Sequence, residues 1–303
     1  MKKIIALCCA FCLLFTATIA SAESSWPAEE WEGVKARMLS GEALDIPAQY
    51  RTAIKQKDLY LYDASEKKSS WLNVALISTD AQDMRQNFGR SEAILICRIN
   101  QKTGAFYLLS LPEYMNVSVP GCPEKVQLRF ANCFGGPLLA LDTINRELSL
   151  SVNRYCAINV DAFADVIDNV GGVTLTLNGE EAEALSLETG SQTLNGTEAV
   201  AYLKLRRQWD GAERFRLLME AMLRKMAARG VINGALSLVD AMLYMIDTNM
   251  TMDEIVSLAF ALLEQQEVHS ILSYRLEADA EGNMDEAARQ ACRDFLYGGT
   301  AAQ

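Results

Sequence analysis

The sequence predicts an α/β fold: a mixed central sheet sandwiched by helices in three layers, with a helical C-terminal extension. Three observations carry this. Residues 72–77, 93–99 and 105–111 are apolar, β-rich runs set close together. Leu138, Leu141, Ile144 and Leu148 then fall on one face of a helix over 137–148. Short strands at 155–160 and 173–177 follow, with a helix over 161–170 between them.

The chain starts Met1-Lys2-Lys3, runs apolar over 4–20 and reaches Ala20-Ser21-Ala22 before Glu23. A charged start, an apolar stretch and a small-residue cleavage site read as a secretory signal over 1–22. The run also approaches the roughly 20 residues that span a bilayer, so an uncleaved anchor stays open. Either way the protein is expected to be exported to the cell envelope. Residues 23–70 read as an N-terminal extension and linker outside the main fold. Ser25 and Pro27 open a helix there, 45–63 has no clear period, and 65–70 is polar.

The α/β domain is expected over 71–227. Asn100 to Gly104 is a polar turn between the second and third runs, and Pro112 stops the third. Gly135-Gly136 precedes Pro137, which is either a glycine turn into a helix or a helix start able to hold a phosphate. Residues 178–191 read as a polar insertion. The rest, 228–303, is expected to be a helical part packed on the domain. Thr251 to Glu254 forms a capping box, and Asn283 with Glu286 suggests another.

Half of the 303 residues are hydrophobic, so the chain is globular, and its formal charge of -11 gives no reason to expect nucleic acid. His269 is the only histidine, which argues against histidine-based zinc sites and Ser-His or Cys-His catalysis. Beyond the leader stand Cys97, Cys122, Cys133, Cys156 and Cys292, with no Cys-x-x-Cys pair. Cys122 and Cys133 flank a loop and are expected to form a disulfide in an oxidising compartment.

Polar groups crowd the ends of the first three strands: Ser78-Thr79-Asp80, Gly89-Arg90-Ser91-Glu92 and Ser110-Leu111-Pro112-Glu113-Tyr114. Strand ends are where sites of layered α/β proteins collect. Taken alone, Asp80 reads as a turn residue and Glu92 as a solvated strand edge. Together with the run from Lys125 to Gly136 and with Leu194-Asn195-Gly196 followed by Tyr202, these motifs resemble the LytR-CpsA-Psr family.

The resemblance implies phosphoryl transfer: a glycopolymer moves from a polyprenyl pyrophosphate carrier to the cell wall, with Mg2+. Such a centre needs carboxylates for the metal, cations for the phosphates and an apolar groove for the lipid. By motif position, Asp80 and Glu92 are the metal ligands and, with Arg214, the catalytic residues. Arg90, Lys204 and Arg206 are the substrate-binding cations, and the partners are the polyprenyl-linked glycan carrier and the cell wall, close to the membrane. Three positions depart from the family. Glu113 stands where it has arginine, Tyr114 where it has aspartate, and Gly211 where it has another arginine. At an effective dielectric of about 20, reversing a charge about 4 Å from a phosphate swings the interaction by several kcal/mol. The expectation is therefore a degenerate site, with catalysis weak or absent. The alternative is a non-catalytic binder of polyprenyl-linked carriers or of envelope proteins. Arg85, Arg129 and Arg216 are the cations that could compensate.

Overall fold

The computed structural model describes residues 26–81, 88–205, 211–230, 233, 236, 239, 246–264 and 271–298. The leader read over 1–22 and Arg206 lie outside the described residues, as does Arg85. Among the described residues, no helix is long and apolar enough to cross a membrane.

Helix α1 (Ala28–Ser40) and three 3-10 turns lead into the three expected strands, β1 (Trp71–Thr79), β2 (Ser91–Asn100) and β3 (Phe106–Leu111). A small ribbon, β4 (Asn116–Val117) with β5 (Val126–Gln127), precedes α2 (Ala131–Gly135), α3 (Pro137–Leu148) and β6 (Arg154–Asn159). Next come α4 (Ala162–Asn169), β7 (Val173–Leu177), α5 (Gly179–Leu185), β8 (Gly190–Leu194), α6 (Gly196–Leu203) and α7 (Gly211–Ala227). The chain closes with β9 (Ile246–Thr248), α8 (Met252–Glu264), β10 (Ile271–Arg275) and α9 (Glu286–Tyr297).

Six strands form one mixed sheet in the order β10-β3-β2-β1-β6-β9. β2 is antiparallel to both β1 and β3, whereas β6 runs parallel to β1 and β10 parallel to β3. Because strand side chains alternate, each strand feeds two cores. Along β2, Ala93, Leu95, Cys97 and Ile99 join one core, while Ile94 and Ile96 join the other. The first core is covered by α4, α6, α7 and α8, the second by α1, α3 and α9. This is the three-layer arrangement that the strand patterning called for.

Several expectations are corrected. The segment before β1 is not outside the fold: Trp26, Trp31, Val34, Leu44, Ile46 and Leu59 are buried in the second core. The part after 227 is not only helical, since β9 and β10 are the two edge strands of the main sheet. Residues 178–191 are more than a polar insertion: Asn178 caps α5, and β8 pairs with β7 in a separate ribbon. The last helix is capped by Asp285, whose carboxylate accepts the Ala288 N–H at 2.7 Å. Cys122 and Cys133 are both free thiols. Cys133 sits on α2 within the second core, and Cys122 is partly exposed in the loop before β5.

The Leu194-Asn195-Gly196 motif has a packing explanation. Leu194 is fully buried, and Asn195 caps α6 by accepting the Glu198 N–H at 3.0 Å while Glu198 accepts the Asn195 N–H at 2.9 Å. A Cβ on Gly196 would lie 2.1 Å from the Ala164 carbonyl oxygen, so α6 can meet α4 only through a glycine.

Arg98 ties three segments together. Buried on β2, it donates to Glu66 at 2.6 Å and to the side-chain Oδ1 of Asn73 at 2.8 Å, and its guanidinium lies 4.5 Å from the Trp71 ring and 4.6 Å from that of Tyr297. Removing one member of a buried pair leaves the other charge uncompensated, at about 3–5 kcal/mol. Arg98→Ala is expected to lose about that much in denaturant unfolding. A loss of under about 1 kcal/mol would mean that Glu66 finds solvent instead.

Candidate active site

The cleft is built at the end of the sheet where β1 and β6 finish and β2 begins. β1 and β2 shift register there: Ser78 faces Ala93 but Thr79 faces Ser91. Glu92 is the unmatched residue, and such a bulge re-aims the side chain it carries. The chain leaves β1 through Asp80 and returns through Gly89-Arg90. The Asp80 carboxylate accepts the Arg90 backbone N–H at 2.6 Å and its Nε–H at 2.7 Å, while the Asp80 N–H donates to the Arg90 carbonyl at 3.1 Å. Gly89 has a φ of +67°, and a Cβ there would be 2.5 Å from the Ala81 nitrogen and 2.7 Å from Asp80 Oδ1. Only glycine allows this return.

Neighbouring side chains pin the loop. Thr79 Oγ1 and Asn132 Nδ2 both donate to the Phe88 carbonyl, and Asn132 also reaches that of Gly89. At the end of β6, Asn159 donates to the Ala81 carbonyl and accepts the N–H groups of Asp161 and Ala162 at 2.7 and 3.0 Å. It thereby joins the exit of β1 to the start of α4.

These elements surround a cleft of about 660 Å³. Its charged lining comprises Asp80, Glu92, Glu113 and Asp161 against Arg90, Arg129 and Lys204. Met38, Leu39, Phe130, Val160, Leu203 and Leu205 supply apolar wall. Each cation has a carboxylate partner. Arg90 pairs with Asp80, Arg129 with Glu92 at 3.0 Å and Lys204 with Asp161 at 2.6 Å. The Lys204 pair is largely exposed and therefore weak. Burial opposes the charge on Arg90, but the Asp80 hydrogen bond and the charges of Asp80 and Glu92 outweigh it, raising its pKa above the ordinary arginine value.

Asp80 and Glu92 both face Arg90, with Asp80 Oδ2 2.7 Å and Glu92 Oε1 3.9 Å from the same Arg90 Nε. Hard carboxylate oxygens suit magnesium, which takes one or two carboxylates and fills its remaining positions with water and phosphate oxygens, but the point these two share is held by the Arg90 guanidinium. No group of three metal-ligating side chains occurs among the described residues.

Arg214, expected to be catalytic, does not line the cleft. It is buried, donates to the Leu205 carbonyl, and lies 5.8 Å from the Tyr202 ring. Its long side chain is spent on fixing the wall at 203–205. Of the compensating cations, Arg216 binds Glu213, Glu220 and Ser273, but Arg129 enters the cleft. Its backbone N–H donates to the Glu113 carbonyl at 2.8 Å, so a cation stands beside the position where the family arginine is missing. Its Nε–H is buried without a hydrogen-bond partner among the described residues. Gly211 also has a packing reason: a Cβ there would be 2.9 Å from the Glu92 carbonyl, against the bulge. Tyr114 is buried with its hydroxyl toward the Ala278 carbonyl at 3.4 Å. Sequence reasoning missed Asn132, Asn159 and the end of α1. Asn159 carries a local signal, an asparagine two and three residues before the N–H groups it accepts, but its link to Ala81 and those of Asn132 to Phe88 and of Gly41 to Arg90 are long-range.

The model of the LytR_cpsA_psr family matches residues 40–291. The chain is 25% identical over 198 residues to the polyisoprenyl-teichoic acid–peptidoglycan teichoic acid transferase TagU of Bacillus cereus, covering 63% of this chain and 65% of that protein. It is 27% identical over 207 residues to TagU of Oceanobacillus iheyensis, with 63% of each chain covered. The chain thus spans somewhat less than two thirds of these relatives' length. Among solved structures, TagT bound to LI-WTA superposes with a TM-score of 0.67 at 20% identity, over 83% of this chain and all of that one. TagT with bound octaprenyl pyrophosphate lipid gives 0.64 at 20% identity, with the same coverage.

Glu113 supplies a test of the cleft's electrostatics. Burial pushes its carboxyl above the usual carboxylate range and Glu92 adds to this, against the pull of Arg129 and Arg275. Its Oε2 is buried with no hydrogen-bond partner among the described residues. The folded state therefore holds this proton more tightly than the unfolded chain. The associated stability is present below the ordinary value of 4.5 and lost as pH rises through the higher folded value. Glu113→Gln, which fixes the neutral form, is expected to match wild type below that window and to exceed it above. Thermal melts from about pH 4 to about pH 8 check this, and superimposable curves would show that the carboxyl is solvated.

Proposed function

The chain belongs to the LytR_cpsA_psr family, and on that footing we propose that it transfers a glycopolymer from a polyprenyl pyrophosphate carrier to the cell wall. One observation carries the reading: Arg90 and Arg129 reach the same cleft as the carboxylates Asp80 and Glu92. The names of the relatives support it, since TagU is a teichoic acid transferase and TagT has been captured with octaprenyl pyrophosphate. Because the carrier is a membrane lipid, the protein works at the membrane face of the envelope, where the N-terminal segment read as a leader or anchor would deliver it.

In this reading an acceptor hydroxyl of the wall attacks the phosphorus that bears the glycan. A new P–O bond forms, the pyrophosphate P–O bond breaks, and polyprenyl monophosphate leaves with the bridging oxygen. The hydroxyl proton passes to solvent or to a carboxylate of the cleft. Arg90 and Arg129 hold the phosphate oxygens, since a guanidinium offers paired, planar donors. Lys204 adds charge at the rim. Arg214 positions the wall by holding the Leu205 carbonyl. Asp80 and Glu92 would hold Mg2+, which when bound would neutralise charge developing between the two phosphates.

A second reading, a non-catalytic binder of lipid-linked carriers, is favoured by Glu113 at the missing arginine and by the pairing of every cleft cation. One assay separates them. Release of polyprenyl phosphate from a short-chain polyprenyl pyrophosphate-linked glycan is measured with magnesium, beside binding of the same lipid. The expected outcome is turnover that falls about 10²–10³-fold in Arg129→Ala and is abolished in Asp80→Ala. Binding without turnover supports the second reading, and absence of both sinks the two together.

A further inference from the structure

All but the last residue of α1 precede the family match, which begins at residue 40. Yet Met38, Leu39 and Gly41 line the cleft. The helix is anchored at its other end. Trp26 and Trp31 are buried in the second core, Trp26 Nε1 donates to the Gly121 carbonyl at 3.1 Å, and Trp31 Nε1 donates to Glu124 at 3.2 Å. Its last turn therefore reaches across to the site from a fixed base. Gly41 ends it in the left-handed conformation, at φ +75°, and the Gly41 carbonyl accepts a hydrogen bond from Arg90 NH1 at 2.9 Å. Leu39 beside it is 89% exposed at the mouth.

We propose that the C-terminal turn of α1 is a gate, whose Gly41 carbonyl occupies on Arg90 a place that a pyrophosphate oxygen must take. The inference rests on the assignment of the cleft to a pyrophosphate. With Asp80 on Nε and Gly41 on NH1, the guanidinium is engaged on two sides before any ligand arrives. A helix C-terminus also carries negative partial charge, and its exposed carbonyls repel a phosphate brought alongside. The turn and the phosphate thus exclude each other at Arg90. Affinity is reduced by the fraction of molecules in which the turn is closed, and whatever draws α1 away raises it. Since α1 follows directly on the N-terminal segment, its position can report how that segment is held.

Binding of inorganic pyrophosphate with magnesium to the full chain, followed by calorimetry, tests this. A Cβ on Gly41 would meet nothing within 4 Å, so only the backbone conformation is at stake. Gly41→Val disfavours the left-handed turn, whereas Gly41→Asn tolerates it. Gly41→Val is expected to bind about 10-fold tighter than wild type and Gly41→Asn like wild type. In the unaltered chain, hydrogen exchange over residues 36–42 is expected to quicken when pyrophosphate is added. Equal or weaker binding by Gly41→Val, or slower exchange over 36–42, with Arg90→Ala still abolishing binding, overturns the gate and leaves the cleft assignment standing. No binding by any form, or binding indifferent to Arg90→Ala, overturns that assignment and the gate with it.

Discussion

The double hold of Asp80 on Arg90 is the interaction on which the cleft depends. One carboxylate accepts both the backbone and the side-chain N–H of the residue ten positions on. This closes the excursion between two central strands and fixes a cation and an anion side by side. The closure is possible only because Gly89 passes within van der Waals contact of Ala81 and Asp80. Glu92 gains its orientation from the bulge that the same return creates. Gly211 then has to be small, because the bulged carbonyl of Glu92 lies against it. A charged site and a packing constraint are here one piece of geometry.

That geometry changes the meaning of the departures from the family pattern. Counted along the chain, Glu113 and Gly211 are two lost arginines. Seen in space, one is offset. Arg129 stands next to Glu113 through a backbone hydrogen bond and brings its guanidinium to Glu92. Burial favours the neutral form of Glu113, which lessens its repulsion of an anionic ligand. The cost of the exchange is that every cation in the cleft is already paired. An anion entering the cleft must therefore compete with those carboxylates.

The parts of the fold visible in the sequence were those set by local period. Strands β1, β2 and β3 show in the chain as near-continuous apolar runs because both faces of each strand are buried. The capping box at Thr251 could be read because both partners lie within four residues. The motif at Leu194-Asn195-Gly196 was the most specific match, and it is a packing motif, with Gly196 against the Ala164 carbonyl. The edge strands β9 and β10 escaped notice. Each is short, and its partner lies far away in the chain: Ile246 pairs with Ile158 and Ile271 with Phe106.

The sequence by itself determined the layered fold, the carboxylates and cation at the strand ends, and the family resemblance, because each is written in neighbouring residues. Tertiary structure alone decided which cations face the cleft. Arg129 and Arg214 carry the same side chain, but one lines the cleft and the other is buried holding the Leu205 carbonyl. It also decided that α1, an apparent appendage, ends on Arg90. The physical reason is that a side chain's role depends on which partners lie within hydrogen-bond reach. Those partners are brought within reach by the packing of elements that lie apart in the chain, and no local pattern encodes them.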